Sequence, residues 1–335
     1  MEYSYIFSTA LIVALITIFV YVIKIYLEFK DSQISKIVPS NKFGKYDLSG
    51  KVIILTGATD GIGKEMARFL SSFNPKRLII PARNKQKGTN LLNYIKKQNG
   101  SSDNVEIWDT DLADLQSVVN FTDKFIREVG ELHMLFNNAG TLILSNDTRT
   151  KDNLETHFQV NHLAPFLLTI KLLDTLKKSA TPDSPSKISF TSSVSNHYNN
   201  LNMDDLLLIK TKELFNNYSY TKIMNIMISN EIAHRYLNSN ITSSSAHPGL
   251  MNTQLLKSND LTGDLIVRFV KYHTESWEQG AVNILYPVLC SNINDNGKYF
   301  DKCAEREPNK VALDEELRKK LWDFSVDILK EKGYF

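Results

Sequence analysis

Short apolar runs alternate with longer helical stripes along most of this chain. Val52 to Leu55, Arg77 to Ala82, Val105 to Trp108, Leu132 to Phe136, Lys187 to Phe190 and Ile241 to Ala246 have the length and β-branched content of buried strands. Between them lie helix faces. Met66, Ala67, Phe69 and Leu70 form one, Asn84 to Gly100 alternates as a second, and Val118, Val119, Phe121, Phe125 and Ile126 mark a third within Leu115 to Val129. Leu154 to Lys178 reads as one long helix, and Pro165 inside it predicts a kink at the level of Asn161. Ser179 to Ser186 is a Ser/Pro loop. Strand and helix in strict alternation predict an α/β fold, a single doubly wound Rossmann domain around a central parallel sheet of about seven strands.

The beginning of the chain breaks this pattern. Tyr3 to Ile23 contains no charged residue, and a helix of roughly 20 residues spans the ~30 Å of a hydrocarbon core. A secretory signal would want a basic start and a small-residue cleavage site, whereas here Glu2 leads and bulky residues run to Lys24. The expectation is a retained transmembrane anchor over residues 1–24, a linker over 25–44 with Pro39 and Gly44, and a globular domain over 45–335. Lys24, Lys30, Lys36, Lys42 and Lys45 follow the apolar run, so the positive-inside rule places that domain in the cytosol. Glycosylation sequons begin at Asn120, Asn146, Asn217 and Asn240, and they carry weight only in a lumen.

A chain of 335 residues can hold one large α/β domain with an appendage. Its formal charge of +2 offers no concentrated basic face, so no nucleic-acid partner is expected. Cys290 and Cys303 are the only cysteines, which fits a reducing compartment. His197, His234 and His247 lack any paired ligand spacing, so no metal site is expected, and no G-x-S-x-G elbow supports a serine triad.

Candidate chemistry begins where the first strand meets the first helix, at Thr56-Gly57-Ala58-Thr59-Asp60-Gly61-Ile62-Gly63. Glycines there allow a tight turn and the close approach of a pyrophosphate, while the helix start offers free N–H groups. Twenty residues past Gly63 stands Arg83, where NAD enzymes carry an acid; a basic residue accommodates a 2′-phosphate instead, with Lys64, Lys85 and Lys87 as helpers. Arg83 could equally cap its strand in solvent, and Asp60 would repel phosphate if it pointed inward.

The loop resembles the T-G-x-x-x-G-I-G motif of the short-chain dehydrogenase/reductase family. Asn137-Asn138-Ala139-Gly140 is similar to that family's N-N-A-G turn, and Asp111-Leu112 to the pair that contacts the adenine, although an aspartate at a strand end also caps helices. His247-Pro248-Gly249 with Thr253 resembles the loop that reaches the nicotinamide carboxamide and the phosphates. The resemblance implies NADP(H) as cofactor, held by Gly57, Thr59, Asp60, Gly61, Ile62, Gly63, Arg83, Lys87, Asp111, Leu112, Asn138, Tyr218, Lys222, Pro248, Gly249 and Thr253.

The same resemblance implies a catalytic tetrad of Asn161, Ser193, Tyr218 and Lys222. Tyrosine and lysine four apart share a helix face, yet Tyr26 and Lys30 have that spacing too, so the order Ser, Tyr, Lys after a strand end carries the inference. Reducing a carbonyl needs a proton as well as a hydride. Tyr218 is expected to supply it as general acid/base, with Lys222 lowering its pKa, Ser193 bonding the substrate oxygen and Asn161 holding a water. Ser192 is the alternative hydroxyl.

Gly297-Lys298-Tyr299-Phe300-Asp301-Lys302-Cys303 and Leu321-Trp322-Asp323-Phe324-Ser325 are similar to the C-terminal signatures of the retinol dehydrogenase-like branch. The layout also resembles that of anchored fungal oxidoreductases of lipid droplets and the vacuole. These likenesses imply interconversion of a lipophilic carbonyl and its alcohol, retinal-like, fatty aldehyde or sterol, at an endoplasmic-reticulum, lipid-droplet or vacuolar membrane. A 3-ketoacyl-CoA reductase and a non-enzymatic NADP-binding scaffold are the competing readings. Leu255 to Tyr272, a basic amphipathic stretch, would close over substrate, pack in the core or touch membrane. Ile223, Met224, Ile226 and Met227 are expected to form either a homodimer face or core.

Overall fold

Successive side chains of a strand point to opposite faces of its sheet, and in β1 (Val52–Leu55) both faces are apolar. Val52 and Ile54 enter one hydrophobic cluster and Ile53 and Leu55 another, so β1 lies in the middle of a three-layer structure. The computed structural model describes residues 43–143, 149–210, 214–250, 275–290 and 295–334. The expected anchor, the stretch Leu255 to Tyr272 and Thr253 lie outside these residues. Among the described residues no helix is long and apolar enough to cross a membrane.

The described strands form one sheet in the order β3-β2-β1-β4-β5-β6-β7-β8. These are β1, β2 (Arg77–Ala82), β3 (Val105–Asp109), β4 (Met134–Asn137), β5 (Ser186–Thr191), β6 (Ile241–His247), β7 (Tyr299–Asp301) and β8 (Ala304–Arg306). The first seven pair in parallel, and β8 returns antiparallel along β7. The expectation missed β8, because three residues with no apolar alternation give no strand signal. Strand order reverses between β1 and β4, which is where open α/β sheets bind ligands beyond the strand ends.

One face is covered by α1 (Gly61–Ser72), α2 (Lys85–Asn99) and α6 (Trp277–Leu289). The other carries α3 (Leu115–Glu128), α4 (Ala164–Ser179), α5 (Leu214–Arg235) and α7 (Glu315–Glu331). Phe43, placed in the linker by composition, already packs on this domain, its ring 5.7 Å from Phe69 and 5.2 Å from Tyr46. Ile223, Met224, Ile226 and Met227 are fully buried, so they are core and present no dimer face. Their helix is buried around most of its circumference, polar side chains such as Thr221, Asn225 and Ser229 included, because its neighbours wrap it, α7 among them.

The long helix expected from Leu154 is not uniform. Phe158–Leu163 is a π-helical turn that hands over to α4 at Ala164, whose N–H bonds to Gln159. Pro165 has no N–H to offer the carbonyl four residues earlier, that of Asn161, and the wider turn absorbs the break where a kink was expected. The C-terminal signature holds this turn from outside. Ser325 of α7 hydrogen-bonds His162 Nε2 at 2.9 Å, and Trp322 packs edge-on against Phe166 with ring centroids 5.0 Å apart.

Candidate active site

The loop after β1 is tied back onto the end of β4. Thr56 Oγ1 accepts from the backbone N–H groups of Asn138 and Ala139, both at 3.0 Å, and Asn138 Nδ2 donates to the carbonyl of Thr56. Asn138 Oδ1 accepts from Thr191 Oγ1 on β5 at 3.3 Å, so one side chain joins three strand ends. Glycine is required by the closeness of these segments. A Cβ on Gly63 would stand 2.0 Å from the Gly57 carbonyl oxygen, and one on Gly57, at φ +67°, would stand 2.7 Å from Ala139 Cα.

This geometry fits a dinucleotide pyrophosphate. The first-turn N–H groups of α1, those of Ile62 and Gly63 included, have no intrahelical acceptor, and Gly57, Thr59, Gly61 and Ile62 are at least partly open beside them. Asp60 is turned to another task. Its carboxylate caps α1 through Gly61 N at 2.9 Å and lies 3.4 Å from Lys87 Nζ, which engages the lysine expected to help with phosphate. Lys64 stacks its ammonium over the Tyr94 ring at 4.0 Å. Arg83 and Lys85, just beyond β2, are exposed. Asp111 uses its carboxylate to accept from Ala113 N at 3.0 Å, shaping its own turn, while Leu112 beside it remains partly open.

The tetrad converges at the ends of β4 and β5. Ser193 lies near enough to Tyr218 to influence its ionisation, its hydroxyl accepts from Ser195 N at 3.2 Å, and the Lys222 ammonium lies 5.2 Å from the Tyr218 ring centroid. Lys222 Nζ donates to the Thr191 carbonyl at 3.1 Å, as does Asn225 Nδ2 at 3.2 Å, so the strand end anchors the helix that carries the phenol. A Cβ on Gly140 would sit 3.1 Å from that ammonium, so glycine there leaves room for it. Ser192 is excluded as the reacting hydroxyl, since it is buried and donates to the Lys222 carbonyl at 2.8 Å.

The structure adds detail to two of these residues. The Asn161 side chain is consumed by Thr141, accepting from its N–H at 2.7 Å and donating to its carbonyl at 2.9 Å, and it also donates to Thr221 Oγ1. Burial raises the Tyr218 pKa above the ordinary tyrosine value, and the nearby Ser193 acts against that rise. Burial draws Lys222 down to about 8, where it still holds its proton at neutral pH.

On the substrate side, Pro248 and Gly249 are buried directly after β6, with Gly249 at φ +98°. Asn283 of α6 donates to the Pro248 carbonyl at 2.8 Å. No periodicity marked Asn283, because a lone polar residue in an apolar helix is visible only through its partner. Asn217, the sequon residue next to Tyr218, is buried and donates to Leu208 O, so the folded protein has no room for a glycan there.

A family model described as short chain dehydrogenase matches residues 51–262. Retinol dehydrogenase 12 of Bos taurus is 34% identical over 283 residues, spanning 84% of this chain and 87% of its own length. Among solved structures, an uncharacterised protein from Mycobacterium paratuberculosis superposes with a TM-score of 0.70 at 23% identity, covering 88% of this chain and 98% of that one. The NADPH-bound carbonyl reductase from chicken fatty liver does so with a TM-score of 0.57 at 20% identity, covering 76% and 97%.

Proposed function

Since this chain belongs to the short-chain dehydrogenase/reductase family and is similar to its retinol dehydrogenases, we propose that it is an NADP(H)-dependent oxidoreductase interconverting a lipophilic aldehyde or ketone and its alcohol. The observation that carries this is the buried Lys222 ammonium 5.2 Å from the Tyr218 ring centroid, with Ser193 beside the phenol at the end of β5. NADPH, when bound, would supply the hydride, and a carbonyl reductase of the same fold is NADPH-bound. Everything else is done by the chain. Ser193 donates a hydrogen bond to the substrate oxygen and fixes it beside the phenol. Tyr218, kept protonated at neutral pH by its burial, gives its proton to that oxygen as negative charge develops. Lys222 holds positive charge beside the phenolate left behind and would hold the nicotinamide ribose, and Asn161 would keep a water that links Lys222 to solvent and returns the proton.

Arg83 would hold the 2′-phosphate, with Lys85 and Lys87 near it. Asp111 shapes the adenine pocket and Leu112 lines it, while Pro248, Gly249 and Thr253 receive the nicotinamide end. Residues 3–23 anchor the enzyme to an endoplasmic-reticulum or lipid-droplet membrane, and the lysines that follow keep the catalytic domain cytosolic. An anchored enzyme meets substrates that partition into the bilayer, which supports retinal-like, fatty aldehyde or sterol compounds. A scaffold that only bound NADP would have no use for a proton donor aligned with Ser193.

The test is NADPH oxidation by the full-length protein in detergent against long-chain aldehydes, retinal and ketosteroids. Turnover with at least one class is expected. Tight NADPH binding with silence across the whole panel would favour the scaffold.

A further inference from the structure

We propose that Lys302 and Cys303, acting through Glu275 and Asn283, form a buried clamp that positions the Pro248-Gly249 loop; the inference rests on the NADP(H) reading of that loop. The turn between β7 and β8 consists of Lys302 and Cys303, with Asp301 paired to Ala304 across it. Both residues are held left-handed, at φ +50° and +67°. Glycine or asparagine is the ordinary choice in such a two-residue hairpin, because a Cβ is strained there. Strain of this kind persists only where the surroundings over-determine the conformation.

The surroundings here are the two side chains' own targets. The Lys302 side chain is 3% exposed, with its ammonium 3.3 Å from Glu275 Oε1. Cys303 Sγ donates to Asn283 Oδ1 at 3.4 Å. Asn283 Nδ2 in turn donates to the Pro248 carbonyl at 2.8 Å and to Glu275 Oε2 at 2.7 Å. Glu275 N donates to the Leu250 carbonyl at 2.8 Å, and the Glu275 carboxylate lies 2.6 Å from where a Cβ on Gly249 would stand. Three consecutive residues, Pro248, Gly249 and Leu250, are thus met by one ion-paired, hydrogen-bonded group. A glycine pair would close the hairpin with less strain, yet it would reach neither Glu275 nor Asn283. The direction of the two side chains is therefore what the strained turn provides. It also gives the Asp301-Lys302-Cys303 end of the C-terminal signature a physical task as positioning residues.

The experiment compares two ligands on the full-length protein in detergent: NADPH, and adenosine 2′,5′-bisphosphate, which lacks the nicotinamide end. The variant is Lys302→Gly with Glu275→Gln, which removes both charges together and relieves the turn. It is expected to weaken NADPH about tenfold and lower kcat by a similar factor, with bisphosphate affinity within about twofold and the melting temperature not lowered. Lys302→Arg, which keeps the cation, is expected to restore NADPH affinity. Unchanged NADPH affinity and kcat, or a parallel loss for both ligands, overturns the clamp. Should the double variant not fold, Asn283→Ser replaces it: a loss for NADPH alone supports the clamp, and no loss or a parallel loss overturns it. A wild-type protein that binds neither ligand overturns the NADP(H) reading and the clamp with it, a result distinct from wild-type binding with an indifferent variant.

Discussion

The Ser192 hydroxyl donates to the Lys222 carbonyl at 2.8 Å, while the hydroxyl of its neighbour Ser193 accepts from Ser195 N at 3.2 Å and lies on the side of Tyr218. Adjacent residues at a strand end point to opposite sides, so one serine docks the active-site helix and the other faces the cleft.

Ser192→Ala is therefore expected to cost about 1 kcal/mol of stability with little loss of turnover, and Ser193→Ala to lower kcat by about tenfold or more with stability unchanged. Urea midpoints and steady-state rates on the two variants separate the roles. The reverse pattern would exchange the assignments.

Tyr218→Phe keeps the ring and removes the proton. A loss of roughly 10²- to 10⁴-fold in kcat is expected, with NADPH affinity nearly unchanged. Retained turnover would remove Tyr218 from the chemistry.

Burial places Lys222 at about 8, so its positive charge beside the phenol is lost as pH rises through that value. The rate of carbonyl reduction, followed as kcat/KM in the free enzyme, is expected to fall above about pH 8. A flat profile from about pH 6 to about pH 10 would count against a charged Lys222 in the rate-determining step.

Arg83→Ala is expected to raise the KM for NADPH by about tenfold while leaving that for NADH unchanged, because only the former carries the 2′-phosphate. Equal effects on the two cofactors would place Arg83 elsewhere.

Two buried histidines set the acid limit of stability. Burial holds His162 and His247 at about 3, so below the ordinary value near 6.5 the unfolded chain binds protons that the folded chain refuses, and stability falls with pH. Asp301, raised by burial from 3.8 to about 6, acts oppositely: between those values the folded chain holds a proton that the unfolded chain releases. One histidine is offset there, which leaves a net slope of one proton, about 1.4 kcal/mol per pH unit. His162→Gln, which can still bond Ser325, is expected to flatten the dependence of the urea midpoint between about pH 4 and about pH 6. An unaltered slope would mean that His162 is not the group responsible.

Local pattern was enough for the alternating elements, the glycine turn and the shared helix face of Tyr218 and Lys222, whereas the tetrad as a set came from the family resemblance. Each rests on a short-range rule: side-chain period, the steric freedom of glycine, or the four-residue spacing of a helix face. The pattern even located the break at Asn161, since Pro165 cannot complete an α-helical turn, although it did not say that the break would be a π turn.

The meeting of distant residues lay beyond such rules. Thr191 offers a backbone carbonyl to Lys222, Thr141 takes both ends of the Asn161 amide, and Lys302 finds Glu275. Backbone acceptors have no residue identity, and buried ion pairs have no period. The strands and helices are specified by the chain itself; the partners of Asn161, Lys222 and Asp60, and with them the division of labour in the site, exist only because the sheet brings its carboxyl ends together and excludes water between them.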